Sequence, residues 1–190
     1  VDIIYYVPPT AQFKTENGKA EGCSPFTVQF INESYDPNDS ISTLEYFWDF
    51  GDGFGTKEAE PTHDFVNNSD KDTVYSITVS LRAKSLYGCA DTFDMGVKVY
   101  PIPEVEFYAT PTFLIEPNKT VNIEQGSDEG YDKYYWDFGD GEGSTLYNPS
   151  THEFPSYGNY VIQQTISTKY GCEDEDTVVI IIKPAKPYSL

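Results

Sequence analysis

The segment Tyr46-Phe47-Trp48-Asp49-Phe50-Gly51-Asp52-Gly53 returns, about 90 residues later, as Tyr134-Tyr135-Trp136-Asp137-Phe138-Gly139-Asp140-Gly141. In the first copy Leu44, Tyr46, Trp48 and Phe50 share one parity, and Glu45, Phe47 and Asp49 share the other. In the second, Tyr134, Trp136 and Phe138 oppose Tyr135 and Asp137. A period of two places one set against a core and the other outward, so each copy is a strand with one buried face. The strand then runs into Phe-Gly-Asp-Gly, where paired glycines permit a tight corner and the Asp can accept backbone N–H groups.

The repetition extends outward from this segment. Thr27 to Ser34 (TVQFINES) answers Thr120 to Ser127 (TVNIEQGS), Pro61 to Phe65 (PTHDF) answers Pro149 to Phe154 (PSTHEF), and SLYGC ending at Cys89 answers STKYGC ending at Cys172. Four matches in one order make the chain two copies of a unit of about 90 residues, the size of a small domain. The junction VYPIPEVEF (Val99 to Phe107) resembles YYVPPTAQF (Tyr5 to Phe13) and, more loosely, the closing IKPAKPYSL. We therefore expect residues 1–9 to be the end of a preceding repeat or a linker, 10–101 the first domain and 102–190 the second, in a longer array with stiff Pro-bearing joints.

Composition agrees with strands. There are 13 Ile, 13 Val, 12 Phe and 16 Tyr against 6 Leu and 7 Ala, a bias that suits a pleated, half-buried surface. Val28 and Phe30 alternate as Val121 and Ile123 do. Tyr75, Ile77, Val79 and Leu81 form a further set that we match to Tyr160, Ile162, Gln164 and Ile166. Gln164 interrupts that set, which implies a bulge or partial exposure. Short strands between Gly, Pro, Asn and Asp clusters, with no sustained helical period, predict an all-β chain of two consecutive β-sandwiches joined by a short Pro-containing linker.

The formal net charge is -19. A surface of that sign repels nucleic-acid phosphate and anionic lipid, whose recognition begins with Lys and Arg, so nucleic acid is excluded as a main partner. The longest aliphatic run, Val178 to Ile182, is far short of the roughly 20 residues of a membrane helix.

The repeated WDFGDG corner, followed by P-x-H-x-F and, in the second copy, by Gly158 and Tyr160, resembles the PKD (polycystic kidney disease) domain family of immunoglobulin-like sandwiches. The first copy has the longer NNSDKDTVY (Asn67 to Tyr75) without that Gly. GCSP near Cys23 together with YGC at Cys89 resembles PKD repeats of bacterial surface proteins exported by the type IX secretion pathway, including large adhesins. The resemblance implies a non-enzymatic extracellular spacer, stalk or adhesion segment. The alternative is a carbohydrate- or protein-binding accessory module of a secreted hydrolase. The implied partners are neighbouring repeats of the same chain, surface glycans, and cell-surface or secretion-machinery proteins.

Duplication separates architecture from function, because residues present in both copies serve the fold. Trp48, Asp49, Phe50, Gly51, Asp52 and Gly53, with Trp136, Asp137, Phe138, Gly139, Asp140 and Gly141, are read as core and corner, and a catalytic use of the carboxylates would require the same chemistry twice. His63 and His152, each two residues before a Phe, are read as structural hydrogen-bonding groups, and Tyr75 and Tyr160 as tyrosine corners. No catalytic residue is assigned.

Cysteine pairing follows from the resemblance, in which the counterparts of Cys23 and Cys89 bond. Aligning TVQF with TVNI sets Glu116 opposite Cys23, which leaves Cys172 the odd thiol. Two kinds of binding residue remain. Phe47 and Tyr135 share an outward position from which rings can stack on sugars or anchor a partner. Asp36, Asn38 and Asp39, in SYDPNDS, could supply oxygens to calcium, as some PKD domains do; solvated surface charge is the other reading of this loop, of NNSDKD and of the run Glu173 to Asp176. No other cofactor is expected.

Overall fold

A computed structural model describes residues 6–38, 43–69 and 73–186. Sixteen strands form among the described residues, and the chain divides into two compact units, with the division between Pro101 and Ile102.

The first unit comprises β1 (Phe13–Thr15), β2 (Glu21–Cys23), β3 (Phe26–Asn32), β4 (Glu45–Asp49), β5 (Gly55–Thr56), β6 (Thr62–Phe65), β7 (Tyr75–Lys84) and β8 (Ala90–Tyr100). They make a three-stranded sheet, β1-β3-β6, and a five-stranded sheet, β2-β8-β7-β4-β5. The alternation read from the sequence accounts for the burial. Phe13, Val28, Phe30 and Phe65 point inward from the small sheet to meet Trp48, Ile77, Val79, Leu81, Val97 and Val99 from the large one. Each such side chain removed from water contributes roughly 1.5–3 kcal/mol before entropy is counted, and the two inner faces together form one sandwich core.

The second unit repeats the plan with β9 (Phe107–Thr110), β10 (Phe113–Ile115), β11 (Thr120–Gln125), β12 (Lys133–Asp137), β13 (Gly143–Ser144), β14 (Thr151–Glu153), β15 (Gly158–Ser167) and β16 (Glu173–Lys183). The sheets are β14-β11-β9 and β10-β16-β15-β12-β13. Each large sheet is antiparallel except at one edge, where β2 lies parallel to β8 and β10 parallel to β16. The chain is therefore all-β, two immunoglobulin-like sandwiches in succession. Among the described residues no helix is long and apolar enough to cross a membrane.

Strand pairing superimposes the units more reliably than the letters do. Trp48 pairs with Leu81, and Trp136 pairs with Gln164, so Leu81 and Gln164 hold one place. The expected bulge is not there: β15 pairs residue by residue with β16 from Gly158 to Ser167, and Gln164 is fully buried. Among the described residues neither its Nε2 nor its Oε1 finds a hydrogen-bond partner. An unpaired buried amide costs about 1–3 kcal/mol. Gln164→Leu, which restores the residue the first unit carries, is expected to stabilise the second unit by about that amount, measured as a rise in its thermal midpoint; an unchanged or lower midpoint would show that the amide is satisfied.

Of the leading residues, 1–5 lie outside the described set. Tyr6 stacks on Tyr87 with ring centroids 3.8 Å apart, Thr10 forms a bridge with Tyr35, and the Ala11 N–H donates to Asp91 Oδ2 at 2.9 Å.

Candidate functional site

The repeated segment forms the same corner twice, from β4 into β5 and from β12 into β13. Asp49 Oδ1 accepts the Gly51 N–H at 2.9 Å, and Asp137 Oδ1 accepts that of Gly139 at 2.8 Å. Asp52 Oδ1 accepts the Phe54 N–H at 3.1 Å, and Asp140 Oδ1 that of Glu142 at 3.0 Å. The second oxygen of each distal Asp reaches a histidine: His63 Nε2 lies 2.7 Å from Asp52 Oδ2, and His152 Nε2 lies 2.8 Å from Asp140 Oδ2. Each imidazole stacks on the corner Phe, at 4.0 Å on Phe50 and 3.9 Å on Phe138, and meets the next Phe edge-on, at 4.7 Å from Phe65 and 4.8 Å from Phe154.

A His–Asp pair can in principle orient a base. Here the ring lies between two aromatics and its Nε2 points at the carboxylate that closes the turn, so the pair fastens the corner to β6 in one unit and β14 in the other. The tryptophans are tied in the same way in both units. Trp48 Nε1 donates to Glu58 O and Trp136 Nε1 to Leu146 O, both at 2.9 Å.

The two tyrosines matched from the sequence are not equivalent. Tyr75 pairs with Val99 at the start of β7, where β15 has Gly158 opposite Ile182; Tyr160 pairs with Ile180, as Ile77 does with Val97. Tyr160 makes the corner bond, its hydroxyl donating to Ser156 O at 3.0 Å. Tyr75 is instead exposed and lines an open groove of about 470 Å³ with Asp52, Phe54, Asp64, Val66, Asn67, Asn68 and Ser69. Within that groove Phe54 is 68% exposed and Val66 48%. Both positions are polar or proline in the second copy, Glu142 and Pro155. Sequence reasoning missed Phe54; its signal was the difference between FGDGF and FGDGE.

The expected Cys23–Cys89 bridge is not formed. Cys89 carries a free, half-buried thiol, whereas Cys23 and Cys172 are both disulfide-bonded. The geometry gives the reason. Cys23 pairs with Tyr100 at the last residue of β8, while Cys89 precedes its first residue, Ala90. The length of β8 separates them by roughly 35 Å, against the 4.4–6.8 Å between Cα atoms that a disulfide spans. The same register places Ile115, not Glu116, at the position of Cys23, since Ile115 pairs with Lys183 as Cys23 does with Tyr100. Thiol labelling of the native chain without reductant is expected to modify Cys89 and spare Cys23 and Cys172; modification of either of those two in place of Cys89 would contradict the assignment.

The outward aromatics differ between copies. Phe47 is half-buried, with Lys57 Nζ 5.1 Å and the Arg82 guanidinium 6.0 Å from its ring centre, so its face is occupied by cations. Tyr135 remains 55% exposed.

In the candidate calcium loop, Asp36 Oδ1 accepts the Asn38 N–H at 2.9 Å and its side-chain amide at 2.8 Å, and Asn38 Oδ1 accepts the Val7 N–H at 3.1 Å. Asp39 lies outside the described residues. The run Glu173 to Asp176 is divided by the pleat, with Glu173 and Glu175 exposed and Asp174 and Asp176 half-buried on the other side of β16. Among the described residues no group of three or more His, Cys, Asp or Glu is placed to hold a metal. Elsewhere, Tyr108 donates its hydroxyl to Glu106 Oε1, and that bond with the charge behind it raises the phenol pKa.

A family model described as PKD domain matches residues 101–182. Among solved structures, the PKD1 domain of the Vibrio cholerae metalloprotease PrtV is 27% identical, covering 50% of this chain and 99% of that one at a TM-score of 0.38. The PKD1 domain of Vibrio anguillarum Epp is 23% identical, with coverages of 51% and 99% and a TM-score of 0.40. Fibronectin(III)-like modules of Clostridium thermocellum CbhA are 14% identical over 94% of this chain and 98% of theirs, at a TM-score of 0.36. The part of the chain that the PKD family model matches is the second sandwich, which carries the hydrogen-bonded WDFGDG corner of Trp136 to Gly141.

Proposed function

We propose that the chain is a non-enzymatic tandem-PKD segment of a large bacterial surface or secreted protein, serving as a spacer, stalk or adhesion segment outside the cell. The observation that carries this reading is duplication at the level of hydrogen bonds. Both units use Trp, Asp, Phe, Gly and His in the same contacts, so the residues with chemical potential are engaged in holding each sandwich together. Oxidised Cys23 and Cys172 suit an oxidising, extracellular compartment. A dense negative charge keeps an exposed array soluble. Replacing these residues in the parent protein by two unrelated immunoglobulin-like domains is expected to preserve surface display and function. Loss of function with display intact would overturn the spacer role.

A second reading, an accessory binding module, is favoured by the groove at Phe54, Val66 and Tyr75 in the first unit. Exposed rings beside carboxylate and amide groups suit a neutral glycan, whose apolar face stacks and whose hydroxyls hydrogen-bond. Polysaccharide pull-down of the chain and of the Phe54→Ala/Tyr75→Ala variant separates the two. A spacer is retained by neither form, whereas a glycan module is retained only with its rings.

A further inference from the structure

The outer face of the large sheet in the second unit is apolar where that of the first unit is polar. Along β16 the outward positions are Glu173, Glu175, Thr177, Val179, Ile181 and Lys183. Val179, 54% exposed, pairs with Val161 on β15, 47% exposed. Ile181 pairs with Phe113 on the edge strand β10, with Ile115 two residues further along, and Phe113 and Ile115 are 55% and 50% exposed. Paired outward side chains lie about 5 Å apart, so these five form one contiguous patch.

The first unit shows that the fold does not require it. Its matching registers carry Gly96 and Thr78 for Val179 and Val161, Lys98 and Glu21 for Ile181 and Phe113, and Cys23 for Ile115. An apolar patch that one copy of a duplicated sheet has and the other lacks belongs to contact with something outside the sheet.

We infer that this face packs on the same face of a second copy of the chain. Charge along β16 selects that occupant. Two carboxylates, Glu173 and Glu175, lie at one end of the row and Lys183 at the other, with the apolar residues between them. A two-fold axis at Val179 sets Val179 on Val179 of the other copy and brings Glu175 of each chain over Lys183 of the other, whereas a parallel stack would set Glu on Glu. The interface is isologous and closes as a dimer.

Its size makes the dimer weak. A patch three strands wide and about 20 Å long offers roughly 300–400 Å² per copy, below the about 800 Å² of a standard interface. Each copy also carries -19, so long-range repulsion opposes the contact at low salt and is screened at high salt, while apolar burial persists. The dimer therefore strengthens as salt rises.

Sedimentation equilibrium of the 190-residue chain, from about 10 μM to about 1 mM at low and high salt, tests this. The expected mass climbs from 21.4 kDa toward twice that value, more steeply at high salt. Val179→Glu weakens association at least about tenfold, and Thr78→Glu, on the same face of the first unit, leaves it unchanged. Lys183→Glu alone weakens it, and adding Glu175→Lys restores it. Circular dichroism confirms that each variant is folded, as expected for exposed positions. A wild-type chain that stays monomeric throughout, association unaffected by Val179→Glu, equal sensitivity to Thr78→Glu, or no rescue by the charge swap would each overturn the inference.

Discussion

Trp136→Ala is expected to lower the stability of the second unit by about 3–5 kcal/mol, the range for truncating a buried aromatic. Trp136 is fully buried, meets Phe107 edge-on with centroids 5.0 Å apart, and donates its Nε1–H to Leu146 O. Removing it opens a cavity between the two sheets and leaves a carbonyl without its donor. A domain of this size has roughly 5–10 kcal/mol in total, so the variant unit sits near the edge of folding. The chain has two tryptophans, one in each unit. Fluorescence of the variant therefore follows the first unit through Trp48, and amide exchange in β15 follows the second. Amide protection in β15 unchanged from wild type would show that Trp136 is not the centre of its core.

Gly139→Ala is expected to cost roughly 2–5 kcal/mol, combining a left-handed backbone conformation with steric overlap. Gly139 has φ +76°, and a Cβ built on it would lie 2.6 Å from Val161 O and 2.9 Å from Val161 N. The corner passes against the backbone of β15, which cannot move without breaking its pairing to β12 and β16. Gly51 is held in the same way, φ +78° and 2.5 Å from Thr78 O. Gly141 supplies the control: its φ is +95°, but a Cβ there meets nothing within 4 Å. Gly141→Ala thus carries the backbone strain without the overlap, and urea midpoints should rank Gly139→Ala well below it. Equal midpoints would mean that close packing of the corner on β15 contributes little.

What the repeat made legible and what it obscured can be followed in particular residues. Trp48 and Trp136 were readable as core because parity along a strand fixes which side chains share a face. The His63–Asp52 and His152–Asp140 contacts could be anticipated only as unspecified hydrogen bonds, since they join residues on different strands. Matching Tyr75 to Tyr160 failed because the loop before β7 is longer than the one before β15. Identical letters aligned, while the strand pairing that defines equivalence was displaced by two residues. The outward patch at Val161, Val179 and Ile181 was hidden for another reason. Its members belong to β10, β15 and β16, and strands that alternate locally do not say which outward residues become neighbours.

The cysteines show the division most plainly. Local sequence determined the all-β class, the duplication and the corner chemistry, because these rest on side-chain period and on turns a few residues long. It could not determine which sulfurs come within bonding reach, and Cys23 and Cys89 lie at opposite ends of β8. Only the parallel pairing of β2 with β8, a contact between residues 77 positions apart such as Cys23 and Tyr100, set Cys23 at the far end of that strand. Distance along a folded strand, invisible in the order of residues, decided which thiol stays free.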